Sequence, residues 1–257
     1  MSGPIGGSVS RRVLVTGASR GIGRAIAAAF AAGGDRVAVH YGTSRESAQE
    51  VVASLSGEGH ALVQADLADA DAVRSAVDDA AGQLGGLDVL VNNAGVFVAH
   101  PPMQTSYADW QAAWARTLAT NLVGAANATW CAVQHMVDAG GGAVVNVSSR
   151  GAFRGEPANP AYGASKAGMN AFGQSMAVAL APHGITVGTV APGFVQTEMA
   201  KEALDGPGGD AVRAQSPFGR VATPAEVAAA VLWLASPEAV FSSGTIIDVN
   251  GASYLRS

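Results

Sequence analysis

Lysine is nearly missing from this chain. Only Lys166 and Lys201 stand among 15 cationic side chains in 257 residues, and the net charge is −5. With no cluster of cations to follow a phosphate backbone, nucleic acid is excluded as a partner. Cysteine is reduced to Cys131, so no intrachain disulfide can form. A reducing cytosol fits that usage, and the thiol, in an apolar helical stretch, reads as a small core residue. Long apolar runs are absent as well: glycine and polar residues interrupt each one before the ~20 residues a membrane span needs. Residues 1–10 are rich in Gly and Ser and lack an apolar segment, so they read as a flexible tail and not a signal peptide. The expectation is a cytoplasmic protein with no membrane association. Nothing in the motif set calls for a metal ion.

Hydrophobic residues make up 49% of the chain and charged ones only 14%, a balance that excludes disorder. Short β-branched runs alternate with Ala-rich helical stretches. The runs are Arg12–Thr16, Arg36–His40, Ala61–Gln64, Val89–Val91, Ala143–Val147, Thr186–Val190 and Thr245–Val249. Helical patterning falls between them at 22–33, 45–56, 70–84, 107–138, 161–182 and 224–235. Such alternation implies βαβ units, and strands that are apolar at nearly every position imply a sheet covered on both faces. The expected fold is α/β, a doubly wound, Rossmann-like sheet of about seven parallel strands. Residues 11–257 read as one domain. Its irregular stretch, 194–222, holds Gly, Pro and charge between a strand and a helix and reads as a lid.

Two motifs carry chemistry. The first strand runs into Thr16-Gly17-Ala18-Ser19-Arg20-Gly21-Ile22-Gly23 and then a helix. Glycines at that junction let the backbone approach a pyrophosphate over free helical N–H groups, although a purely structural turn has the same composition. Tyr162-Gly-Ala-Ser-Lys166 places a phenol and an ammonium one helical turn apart on one face. An ammonium beside a phenol is expected to lower the phenol's pKa from about 10. A surface tyrosine beside a solvated lysine is the plainer reading of that motif taken alone.

Together with Asp66-Leu67, Asn92-Asn93-Ala94-Gly95, Asn121, Ser148-Ser149 and Pro192-Gly193, in that order, these motifs resemble the short-chain dehydrogenase/reductase family over about residues 11–252. The resemblance implies hydride transfer between a nicotinamide and a carbonyl carbon. It makes Tyr162 the general acid in reduction and the base in oxidation. Lys166 then lowers the tyrosine pKa and holds the nicotinamide ribose, and Ser149 donates to the substrate oxygen. Asn121 holds a water behind the lysine, or else is a buried amide satisfying helix backbone. Cofactor contacts fall to Gly17, Ser19, Arg20, Gly21, Ile22 and Gly23 in the turn. Asp66 and Leu67 lie at the adenine. Asn93, Ala94, Gly95, Tyr162 and Lys166 lie along the riboses and nicotinamide, and Pro192, Gly193, Val195 and Thr197 at the carboxamide and phosphates.

The second strand ends without the acidic residue that would bind a ribose diol. Tyr41 stands at that place, and Thr43, Ser44, Arg45 and Arg20 offer small polar groups and cations to a 2′-phosphate. NADP(H) is therefore expected over NAD(H). Substrate walls are expected from 96–105, 150–160 and 194–218. Phe97, Val98, Met103, Phe153, Phe194, Met199 and Phe218 would make the pocket mainly apolar, with Arg150, Arg154 and Glu156 at or near its edge. A medium-sized ketone or acyl chain suits such walls better than a sugar or polyol, which would want a more polar lining. The pattern is most similar to 3-oxoacyl-acyl-carrier-protein reductases, notably Ala214–Arg220, Thr223–Val227 and Val249–Gly251. The Gly-rich turn at 139–142 and Pro182-His183-Gly184 lack the cations those reductases tend to carry for an acidic carrier. The family also implies a homo-oligomer, a tetramer or dimer, with 107–138 and 161–182 as interface candidates.

Overall fold

The computed structural model describes residues 10–256, and within them all side chains except those of Met199 and Glu202. The tail read into the first residues therefore lies almost wholly outside the described part. Seven parallel strands form one sheet: β1 (Arg12–Val15), β2 (Arg36–Tyr41), β3 (Ala61–Gln64), β4 (Val89–Asn92), β5 (Gly142–Val147), β6 (Ile185–Pro192) and β7 (Ile246–Val249). Their order is β3-β2-β1-β4-β5-β6-β7. The direction of winding reverses between β1 and β4, and a crevice opens at such a reversal beyond the carboxyl ends of the strands.

The helices are α1 (Gly21–Ala32), α2 (Arg45–Ser54), α3 (Ala70–Leu84), α4 (Tyr107–Leu118), α5 (Gly124–Ala139), α6 (Gly151–Arg154), α7 (Pro160–Leu180), α8 (Lys201–Asp205), α9 (Gly209–Arg213) and α10 (Pro224–Leu234). Strand residues alternate between two cores, as a period of two requires. Val13, Val15, Val37, Val39, Val89 and Val91 pack beneath Ile26, Phe30 and Val231 of α1 and α10. Leu14, Ala38, Leu90 and Val144 face Val77, Leu84, Ala132 and Met136 of α3 and α5. Both faces are covered, which is why the strands carry so few polar residues. No helix among the described residues is long and apolar enough to cross a membrane.

One expected element is built differently. The helical pattern at 107–138 is not continuous: between α4 and α5 the residues Ala119–Val123 form a π-helical turn. There the Gly124 N–H reaches back five residues to the Ala119 carbonyl. A wide turn of this kind inserts one residue and commonly marks a functional position. Asn121 sits within it, fully buried.

The glycine-rich turn is fixed by its neighbours. Gly17 has φ +62°, and a Cβ there would lie 2.8 Å from Ala94 Cα. A Cβ on Gly23 would overlap the Gly17 carbonyl oxygen, so α1 can start against the turn only with glycine at that place. His40, at the end of β2, holds the turn from the other side. Its Nδ1 accepts the Gly17 N–H at 3.0 Å, and its Nε2 lies 3.2 Å from the Ala65 carbonyl oxygen. Accepting at Nδ1 requires the neutral ring with its hydrogen on Nε2. Burial pushes this imidazole down from 6.5 to about 4, so between those values the unfolded chain binds the extra proton. The stability this contributes is complete above pH 6.5 and is lost as pH falls through 4. Urea unfolding should show wild-type protein losing about 3 kcal/mol more than His40→Gln between pH 7 and pH 4. Parallel pH profiles for the two proteins would contradict this.

Candidate active site

At the carboxyl ends of the strands lies a cleft of about 490 Å³. It contains Ser149, Tyr162 and Lys166 together. Strand β5 delivers Ser149 just past its end, and α7 carries Tyr162 and Lys166 four residues apart on the face turned to the cleft. A proline and one side-chain contact fix the start of α7. Its Pro160 begins the helix without needing an N–H partner. The Ala161 N–H donates to His100 Nε2 at 3.1 Å, while His100 Nδ1 lies 2.7 Å from the Val98 carbonyl oxygen.

Lys166 is buried, and its Nζ donates to the Val147 carbonyl oxygen at 2.8 Å. Loss of hydration pushes the ammonium down to about 8. Its Nζ stands 5.8 Å from the centre of the Tyr162 ring. The phenol behaves opposite to the expectation from the motif: burial pushes it up to about 12, a hydrogen bond with Ser149 offsets part of this, and Glu156 adds to the rise. Desolvation of the phenol outweighs an ammonium whose proton is directed at a main-chain oxygen. Phe97 covers the Tyr162 ring edge-on at 4.8 Å.

Asn121 stands behind this group and does not line the cleft. Its Oδ1 accepts the Val96 N–H at 2.8 Å, and its Nδ2 donates to the Val96 carbonyl at 3.0 Å and to Ser165 Oγ at 3.2 Å. The amide thus satisfies backbone, as one reading of the sequence had it, but the backbone of the loop after β4 and not of its own helix. A Cβ on Gly95 would lie 3.3 Å from Asn121 Oδ1 and 3.6 Å from Lys166 Nζ, which places the amide beside the lysine. Asn92, buried, donates to Thr129 and Asn146 and spans the middle of the sheet. Ser148 donates to the Lys166 carbonyl, away from the reacting groups.

The residues lining the other end suit a dinucleotide. Gly17, Ser19, Arg20, Gly21, Ile22 and Gly23 form its floor. Asn93 Nδ2 donates to the Thr16 and Gly17 carbonyls, and Thr16 Oγ1 accepts the N–H groups of Asn93 and Ala94. Thr43, Ser44, Asp66, Leu67, Ala94 and Gly95 line one side, and Pro192, Gly193, Val195 and Thr197 the other. The free N–H groups of α1 begin over glycines where a Cβ would intrude, so the cradle fits a pyrophosphate. Two expected contacts lie elsewhere. Tyr41 is buried in the core, its hydroxyl 3.4 Å from Gln64 Oε1. The sixth residue of a strand packed on α1 and α2 points inward, so it does not reach a ligand. Arg45 opens α2, exposed, and is not among the lining residues.

Sequence reasoning missed His40, Arg116, Thr120 and Glu198, all of which line the cleft. Arg116 pairs with Asp66 at 2.8 Å in the cleft lining and holds its carboxyl below the usual range. Fifty residues separate the two, and no motif spacing announces the pair. Glu198 lies 3.8 Å from Arg20.

The substrate end is more polar than expected. Phe97 and Phe194 do line the cleft, yet Arg150 and Glu156 line it too and do not merely edge it. Met103 is 94% exposed. Phe218 borders a separate cleft of about 300 Å³ shared only through Arg150 and Phe194, and Phe153 lies under the Arg256 guanidinium. Met199 lies outside the described side chains. The turns at 139–142 and 182–184 touch each other at the amino ends of β5 and β6. They are at the opposite edge of the sheet from the cleft, so their lack of cations does not bear on this entrance.

Comparisons with known proteins agree with this geometry. The family model described as short chain dehydrogenase matches residues 11–207. A D-threitol dehydrogenase of Mycolicibacterium smegmatis is 39% identical over 245 residues, covering 95% of this chain and 92% of the relative. A 3-oxoacyl-acyl-carrier-protein reductase of Staphylococcus aureus is 38% identical over 249 residues, covering 96% and 99%. Among solved structures, a short chain dehydrogenase of Burkholderia cenocepacia in complex with NADP superposes with a TM-score of 0.84 at 38% identity, covering 95% and 97%. With its parallel seven-stranded sheet and the grouped Ser149, Tyr162 and Lys166, the chain belongs to the short-chain dehydrogenase/reductase family of oxidoreductases.

Proposed function

We propose that this protein reduces a ketone to a secondary alcohol with NADP(H), Tyr162 acting as the general acid. The observation that carries this reading is the convergence of Ser149, Tyr162 and Lys166 on one cleft whose other end is a glycine cradle. The cofactor, when bound, supplies the hydride. What this chain contributes is the proton and the positions. A phenol held up at about 12 stays protonated at neutral pH, the state a proton donor to a carbonyl oxygen needs. Ser149, which lines the cleft with that phenol, is placed to donate to the same oxygen. Lys166 orients the ribose end, and Asn121 keeps the loop at Val96 in register with α7.

NADP(H) in preference to NAD(H) rests on the end of β2. The side chain at the place of an NAD-selecting acid is the buried Tyr41, while Thr43, Ser44 and Arg20 line the cleft there. The NADP-bound structural relative supports the same reading. Segment 194–222 acts as a cover: Glu198 meets Arg20, and Thr197 stands 3.4 Å from the Cβ position of Gly21 across the cleft. Relatives named for an acyl-carrier substrate and for a tetritol point to different substrates, and the walls supply both rings and charges. Exposed Val123, Trp130 and Val137, with Val178 on α7, support oligomerisation through those helices.

Tyr162→Phe should bind NADPH as wild type does and lose about 10²- to 10⁴-fold in kcat. Absorbance at 340 nm and cofactor fluorescence measure the two, and retained turnover would reject the role. Wild-type kcat/KM should favour NADPH over NADH. Arg20→Ala should cost about tenfold or more with NADPH and leave NADH nearly unchanged, because only the former offers a phosphate to the guanidinium. Preference for NADH would reject the cofactor assignment.

A further inference from the structure

Among the described residues, the Glu156 carboxyl has no hydrogen-bond or ion-pair partner. It lines the cleft with Ser149 and Tyr162, and its side chain lies over Gly151, two residues past Ser149. A Cβ added at Gly151 would fall 2.6 Å from Glu156 Oε1 and 2.8 Å from its Cγ. Its backbone N is 3.6 Å from the Cβ position of Gly163, the residue after Tyr162. Gly151 therefore leaves the room into which this carboxyl folds, beside Ser149, and Gly163 lets the Glu156 backbone pack on α7.

Among the described residues, no hydrogen bond reaches the Glu156 carboxyl, and no cation lies within 4.0 Å of it. The nearby guanidinium groups are occupied. Arg150 donates to Ser253 Oγ and Gln215 Oε1, and Arg154 to the same Gln215 oxygen at 3.3 Å. Both arginines still act on Glu156 through space, and burial pushes its carboxyl up against them. The carboxyl thus faces the cleft with its acceptor oxygens free for a ligand's donor in place of water.

The geometry points to Glu156 as the residue that selects the substrate: its carboxyl accepts a hydrogen bond from a hydroxyl one or two carbons from the reacting carbonyl. The substrate class is then a hydroxyketone, with a diol as its reduced form. An ammonium is the other donor a carboxyl would take, but Arg150 and Arg154 already place two positive charges beside this site, and a third would be repelled. Phe97 and Phe194 hold the carbon skeleton. This assignment rests on the reductase reading given above and narrows its substrate.

The test compares 1-hydroxybutan-2-one and 4-hydroxybutan-2-one with butan-2-one as substrates for NADPH oxidation, in wild type, Glu156→Gln and Glu156→Leu. Wild type should prefer at least one hydroxyketone by about tenfold or more in kcat/KM. Glu156→Leu should abolish that preference chiefly through KM, losing more on the hydroxyketones than on butan-2-one, and Glu156→Gln, which keeps one acceptor oxygen, should fall between. NADPH fluorescence shows that each variant is folded. Equal kcat/KM for the hydroxylated and plain ketones in wild type would overturn the assignment while leaving the reductase reading intact. So would an equal loss on both in Glu156→Leu. Absence of NADPH oxidation with every ketone in wild type would overturn both.

Discussion

The Thr16 hydroxyl donates to the Val91 carbonyl oxygen at 3.2 Å and accepts the N–H groups of Asn93 and Ala94. These bonds join the ends of β1 and β4 where the sheet reverses its winding. On one side of that join the glycine turn enters α1, and on the other the Asn93–Gly95 segment leads to the substrate loop. Asn93 completes the tie by donating to the Thr16 and Gly17 carbonyls. The cradle for the cofactor and the wall facing the reacting groups are thus two sides of one hydrogen-bonded joint. Because all seven strands run the same way, every strand end that carries chemistry arrives at that edge.

A second joint holds the side of the cleft that carries Ser149, Tyr162 and Lys166. Lys166 reaches the Val147 carbonyl, Ser148 reaches the Lys166 carbonyl, and Asn121 binds both the Val96 backbone and Ser165. Asn121 faces α7 from the π-helical turn at Ala119–Val123, while α5 keeps its apolar face against the sheet and α3. An extra residue in a helix costs hydrogen-bond geometry, and such turns persist where a side chain must be re-aimed.

Much of this was legible in the chain. Seven β-branched runs gave seven strands to within a few residues, because burial on both faces leaves a nearly unbroken apolar signal. The ordered motifs marked where the cleft would lie, since most fall at a strand end and the Tyr162/Lys166 pair opens α7. Less legible were features that depend on direction or on distant partners. Periodicity shows that Tyr41 ends a strand but not that its ring turns into the core. It sees one long helix at 107–138, since a single inserted residue scarcely disturbs a 3.6-residue pattern. The pKa expectation for Tyr162 followed from the lysine's sequence spacing. It failed because depth, which spacing does not encode, governs a phenol more strongly than an ammonium pointed at another acceptor. Arg116 and Asp66 meet only through the fold.

The wall behind Ser149 has a consequence for how the protein is made. Arg150 is held by Ser253, Asn250 donates to the Tyr254 carbonyl, and Arg256 bonds Asp248 and covers Phe153 of α6. These partners lie about a hundred residues downstream of the segment they support. During synthesis the glycine turn, its helix and the strands β1 to β4 can meet while much of the chain is still on the ribosome. The side of the cleft beside Ser149 lacks these partners until residues 250–256 have emerged, so that wall is completed by the last stretch of the described chain to be made.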